Sequence, residues 1–272
     1  MKEAFGILTA EVLKQHRRMS GSRIIFFSML LWPLLQLLTT YYTVRPVVEE
    51  NTNAIWSADS TQGGLLAFLA TGALGFAFFF ALVQSAWHFS FERQTGTLEL
   101  LFLSPAPRLL LVVANGVGAL LQNVWLFLCF GLALTVIPGA VHLESPGMFV
   151  VVFLALVVPA VSWGAFLNSL LIFSRDSAFL FTLFNEPMAF AGGARLPLAA
   201  LPGWISVIGT FLPLTGSLKV VRGALLEGKG LGDLTGILFT LTGLSLLLLA
   251  LASLTLRLGE RRAQRTGQLR LF

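Results

Sequence analysis

Runs of about twenty residues with almost no charge recur along this chain, and they leave few folds open. Crossing the roughly 30 Å hydrocarbon core of a bilayer at about 1.5 Å per residue takes about 20 apolar residues. Residues 24–44 meet that length without one Lys, Arg, Asp or Glu. Further runs of this kind are 64–91, 109–137, 148–173, 177–194 and 234–256. Only 11% of the residues are charged, where a soluble domain carries roughly 25%. The pattern predicts an all-α integral membrane protein with six transmembrane helices.

A further apolar stretch, 196–213, is broken by Pro197, Pro202, Gly203, Gly209 and Pro213. It fits either a seventh span or a re-entrant pair of short helices. Charge decides between them, because Lys and Arg concentrate in cytosolic loops. With six spans and a cytosolic N-terminus, 13 of the 18 Lys and Arg fall inside, among them the basic tail from Arg257 onward. Only Arg45, Arg195, Lys219, Arg222 and Lys229 fall outside. A seventh span would put that tail outside, so the expectation is six spans, both termini cytosolic, and residues 195–213 re-entrant.

Residues 1–23 place Phe5, Leu8 and Val12 at helical spacing, with Lys2, Glu3, Glu11 and Lys14 elsewhere around the wheel. This predicts an amphipathic interfacial helix ahead of the six-helix domain, 24–272, with an ordinary solvated lead-in as the alternative. No short apolar core with a small-residue cleavage site opens the chain, so Met1 is expected to be its mature start. The lone Cys129 excludes an intrachain disulfide or a thiolate cluster. His16, His88 and His142 are too scattered to suggest a metal site. The charge of +5 follows the span borders rather than a patch suited to nucleic acid.

The first cytosolic loop, 92–108, reads FERQTGTLELLFLSPAPR from Phe91. Thr95 or Thr97 can cap a helix whose first turn holds Glu99 and whose apolar face is Leu98, Leu101 and Phe102. Ser104 and Pro105 suit the end of that helix and the start of the next. A plain connector between spans would look the same. "GALLEGKG", 223–230, nearly matches a phosphate-binding loop, but Gly230 replaces the hydroxyl residue that holds magnesium and no hydrophobic strand precedes it.

The 91–108 stretch is similar to the signature of ABC-2 type transport permeases, through Glu92, Gly96, Thr97, Leu98, Glu99, Ser104, Pro105 and Arg108. A second stretch, 201–228, resembles the family's later motif through Leu201, Pro202, Trp204, Pro213, Leu214, Thr215 and Arg222. With the interfacial helix and six spans, the likeness covers essentially the whole chain. Span three departs from it, having Ala114 and Asn115 where a Gly-Lys pair is often found.

The resemblance implies a permease subunit of an exporter in a bacterial or archaeal cytoplasmic membrane, not itself an enzyme. ATP and magnesium would bind two separate cytosolic ATPase subunits, and a second permease copy would complete a homodimer among membrane lipids. The 92–108 loop would be the coupling helix, with Glu92, Arg93 and Glu99 making polar contacts to the ATPase and Leu98, Leu101 and Phe102 filling a groove on it.

Among pathway or gate candidates, Glu186 is the only carboxylate inside an expected span, where an ionised group is costly. It is either a polar element of the pathway or its outer gate, with Asn185 a further candidate, or it sits near the outer headgroups or pairs with Arg195. Pro202, Trp204 and Pro213 are the candidates in the broken stretch. Gln36, Gln84, Asn115, Gln122, Asn123 and Asn168 either line a path or tie helices together. Ala73, Ala77, Ala81 and Ser85 recur every four residues, a spacing that lets helices approach closely. The 24 Phe and 6 Trp suit a hydrophobic drug, peptide or lipid as cargo, and suit lipid contact equally. A lipid-linked polysaccharide is the alternative cargo, since "LLWPLLQ" at 30–36 also resembles that permease branch. An ATP-independent transporter or channel is a further alternative.

Overall fold

The structure, a computed structural model, describes residues 2–20, 23–50, 62–94, 107–136, 141–142, 144–171 and 177–266. These form α1 (Lys2–Ser20), α2 (Arg23–Glu50), α3 (Gln62–Gln94), α4 (Arg108–Val136), α5 (Met148–Leu171), α6 (Ser177–Ala191), a 3-10 turn (Leu198–Ala200), α7 (Gly203–Thr210), α8 (Pro213–Leu225) and α9 (Leu231–Thr266). All regular structure among the described residues is helical. Among the described residues, four helices, α3, α4, α5 and α9, are long and apolar enough to cross a membrane, or five spans if the bent pair α7–α8 counts as one. The chain is therefore a multi-pass membrane protein. Of the six expected spans, that of α2 runs over residues whose side chains lie outside the described ones, and that of α6 is not among the four. The 15 residues of α6 cover only about 22 Å.

The bundle has an upper end, where α3, α5 and α9 begin, and a lower end, where α2 and α4 begin. Helix α5 is the hub, packing against α3, α4, α8 and α9. A helix apolar all round belongs inside a bundle, and Val152, Leu156, Ala160 and Leu167 of α5 are fully buried. In its most apolar window α3 is 78% buried, whereas α9 is 22% buried and turns Phe239, Leu246, Leu247 and Leu254 outward. Helix α3 is thus a second core element and α9 a peripheral one.

Polar side chains tie α3 to α4. Asn115 Nδ2 donates to the Ser85 carbonyl at 3.3 Å, Ser85 Oγ donates to the Asn115 carbonyl at 3.4 Å, and Asn123 Nδ2 donates to the Phe78 carbonyl at 3.3 Å. Two of the six candidate amides therefore tie helices together. The side chain of Gln122 lies outside the described residues, and Asn168 is buried in α5.

Helix α1 forms where the N-terminal amphipathic helix is expected and packs along α4. Leu8 and Val12 are half-buried, Leu13 is exposed, and Glu11 pairs with Lys14 at 3.0 Å.

The broken stretch runs further than expected. Helices α7 and α8 meet at 85°, and α8 continues to Leu225 rather than ending near residue 213. Pro213 at its first position removes only an N–H that would have no helical partner. Lys219 and Arg222, expected in an outer loop, are in α8, because its other side chains bury a wide apolar face: Leu214, Leu218, Val221 and Leu225 are fully buried. Leu218 packs at Gly75 while Arg222 reaches Phe68, so α8 rises alongside α3 toward the upper end.

Candidate functional site

Three places in this bundle bring polar or open features together. The first is a clasp near the upper end. Gly193, with φ +77°, turns the chain after α6 in a conformation that strains any residue with a side chain. At Gly72 a Cβ would overlap the Ala194 carbonyl oxygen, so glycine there lets this turn lie directly on α3. Thr215 Oγ1 donates to the Gly209 carbonyl at 2.6 Å and lies 3.2 Å from the Gly192 carbonyl, pinning α7 and the end of α6 to α8.

Arg222 completes the clasp with all three guanidinium nitrogens. Nη1 donates to the Gly193 carbonyl at 2.9 Å, Nη2 to the Phe68 carbonyl at 3.2 Å and Nε to Thr71 Oγ1 at 3.3 Å. Its carbon centre lies 3.6 Å from the Phe68 ring centroid, within cation–π range. A cation just past a helix C-terminus also meets the negative end of the helix dipole, here that of α6.

The second place is at the lower end. Glu92 and Arg93 occupy the last turns of α3, but their side chains, and all of Gly96, Thr97, Leu98, Glu99, Leu101, Phe102, Ser104 and Pro105, lie outside the described residues. Arg108 opens α4, and its Nε lies 3.6 Å from Glu260 Oε1 near the end of α9. Both side chains are partly exposed, at 26% and 34%. The end of the 92–108 segment is thus joined to α9, a partner that nothing in the sequence pattern suggested.

The third is a groove of about 350 Å³ between α2 and α3. Ala73, Ala77 and Ala81 line its floor, with Phe76 and Phe80 of the same helix, while Trp32, Gln36 and Thr40 of α2 form the opposite wall. The four-residue ladder therefore makes room for a cleft along three of its steps, and its fourth, Ser85, binds α4. Phe80 packs edge-on against Phe181 of α6 at 6.2 Å, fixing one rim. Gln84 lines the lower part of the groove, and Ala194 and Arg195 line the upper part beside Gly72. Trp32 is 52% exposed, so the groove is open along α2.

The other candidates scatter. Asn185 is buried in α6, while Glu186 and Pro187 are exposed, and the helix runs on through Pro187 to Ala191. Arg195 makes no ion pair with Glu186 among the described residues. Pro202 and Trp204 are exposed at the start of α7, and Pro213 is buried under the α7–α8 bend. None of Asn185, Glu186, Pro202, Trp204 and Pro213 lines the groove. The run 223–230 closes α8 and turns at Gly228, φ +63°. Lys229 there pairs with Glu227, and that carboxylate holds the ammonium pKa above its ordinary value. Among the described residues no cluster of His, Cys, Asp and Glu could hold a metal.

The model of the ABC-2 type transporter family matches residues 3–226. The chain belongs to the ABC-2 type transporter family. The match takes in α1 through α8 and so includes all three places just described, short of Glu260. A membrane domain of this family is a transport permease, not itself catalytic, and the family implies association with ABC ATPase subunits. No match was found among the curated proteins.

Proposed function

We propose that this chain is the transmembrane subunit of an ATP-driven exporter for a hydrophobic or amphipathic substrate, and that the groove between α2 and α3 is part of the substrate's path. The observation that carries this reading is the groove itself: an open-sided, mostly apolar cleft in a membrane bundle, at the lower end of the roughly 300–1,000 Å³ range of ligand sites. Two permease copies, each with six spans, work with two ATPases that bind ATP and magnesium.

The lower end of the bundle is cytosolic, a placement favoured by the basic N-terminal segment and the Arg-rich end of α9. The 92–108 segment is the handle on which an ATPase acts, with Glu92, Arg93 and Glu99 supplying polar contacts and Leu98, Leu101 and Phe102 the apolar ones. Arg108 passes its displacement to α4 and, through Glu260, to α9. The 85° bend between α7 and α8, with α8 rising toward the upper end, supports a re-entrant element on the outer side.

Transport needs only a difference in substrate affinity between two states of the pair. ATP-driven closure of the ATPases supplies that difference by moving the two handles and narrowing the grooves. To test this, the chain is coexpressed with a candidate partner ATPase, copurified and reconstituted in liposomes. A complex that moves a lipophilic dye only with ATP, and loses coupling in the Glu92→Ala, Glu99→Ala double variant, is the expected result. Solute movement by the permease alone without ATP would overturn it.

A further inference from the structure

The groove carries more information than its size. None of its sixteen lining residues is acidic, and Arg195 is the one cation among them. Among the described residues Arg195 has no hydrogen bond, ion pair or ring contact, unlike Arg222 and Arg108 at the two joints. It stands at the upper end of the groove, because Ala194 lies against Gly72 of α3. Gln36 of α2 also lines the groove, one residue before Leu37, which packs against the Leu65, Phe68 and Leu69 cluster of α3. Below them the walls are Trp32, Phe76, Phe80 and the alanine ladder.

We propose that the groove selects an anionic amphiphile, a single-tailed molecule whose phosphate or carboxylate head meets Arg195 and Gln36 while its tail lies along Phe76 and Phe80. This rests on the groove being a substrate site, as argued above. Guanidinium is a planar fork that matches carboxylate and phosphate oxygens two at a time. A cationic amphiphile of the same shape meets the opposite situation. Its head is repelled at Arg195, or it slides down and leaves its charge among apolar side chains with no carboxylate to receive it. The aromatic faces give a cation some attraction, but weaker than a guanidinium gives an anion through two charge-assisted hydrogen bonds. The selection is therefore by charge at one end and by apolar shape along the rest.

The test uses the full chain in lipid nanodiscs and titrates it with 11-(dansylamino)undecanoic acid, reading dansyl fluorescence against empty nanodiscs. Saturable binding is expected, displaced by dodecyl phosphate but not by dodecyltrimethylammonium or by inorganic phosphate at the same concentration. Arg195→Glu is expected to weaken the anionic probe about tenfold. Arg195→Lys should retain most of the affinity. Arg195 is exposed, so both variants should fold, which thermal unfolding checks.

Ala73→Phe, which fills the floor of the groove, is expected to remove binding. Should it fail to fold, Trp32→Ala takes its place, with weakened binding expected. Equal binding by wild type and Arg195→Glu, or displacement by dodecyltrimethylammonium, overturns the charge selection while leaving the groove as a site. Displacement by inorganic phosphate alone overturns the amphiphile. Saturable binding that survives a folded groove variant unchanged overturns the groove itself, and no saturable binding in wild type overturns both.

Discussion

Two arginines mark the two ends of this bundle and do opposite things. At the upper end Arg222 gives every type of guanidinium nitrogen to a carbonyl or hydroxyl and lies on a phenylalanine ring, joining α3, α8 and the turn after α6. At the lower end Arg108 meets Glu260 at 3.6 Å, with both side chains partly in solvent. A guanidinium held by backbone carbonyls has no second arrangement to move to without stranding those groups. A half-exposed ion pair contributes about 0–1 kcal/mol and separates easily, because water replaces either partner. The upper end is therefore a fixed clasp and the lower end a joint that can open, an asymmetry that agrees with the proposed handle at the lower end.

Removing the clasp should have the largest effect. Arg222→Ala is expected to cost about 3 kcal/mol, since it removes three hydrogen bonds from one part-buried guanidinium and leaves their acceptors unpaired, and Arg222→Lys less but still measurably, since an ammonium cannot span three acceptors. The fraction of protein remaining monodisperse after heating in detergent reads this directly. Arg222→Ala with unchanged thermal stability would show that the clasp does not hold the upper end together. Next in size, Gly72→Ala drives a methyl into the Ala194 carbonyl and should cost about 2 kcal/mol by the same measurement.

Thr215→Val keeps the shape but removes the hydroxyl that binds the Gly209 carbonyl, for about 1 kcal/mol. Glu260→Gln should be the mildest in stability, below about 0.5 kcal/mol, yet should alter how strongly substrate stimulates the partner's ATP hydrolysis. A large stability loss with normal coupling would reverse the contrast between clasp and joint.

The long helices were legible because apolar run length sets them directly. Residues 109–137 and 148–173 became Arg108–Val136 and Met148–Leu171. The bent pair was harder, because Pro and Gly announce breaks but not angles, and Lys219 and Arg222 made a buried helix look like a loop. The resemblance placed Thr215 and Arg222 in a motif without saying what they hold. Their partners could not be read from the sequence: Arg222 reaches across 154 residues to Phe68, and Arg108 reaches from one end of α4 to α9, through packing that no local pattern encodes. The groove was half visible. The alanine spacing signalled close approach, but whether a helix or a void fills that approach depends on where α2 sits.

The open side of the groove changes what an affinity for this protein means. A ligand that enters along α2 comes from the bilayer, where an alkyl chain is already concentrated by partitioning. Each added methylene is worth about 0.8 kcal/mol on leaving water, close to fourfold in membrane concentration, whether or not the protein touches it. Apparent dissociation constants expressed per litre of water will therefore improve steadily along a homologous series. Only when they are restated as mole fractions in lipid will chain length report on Phe76, Phe80 and the alanine floor rather than on the solvent the ligand came from.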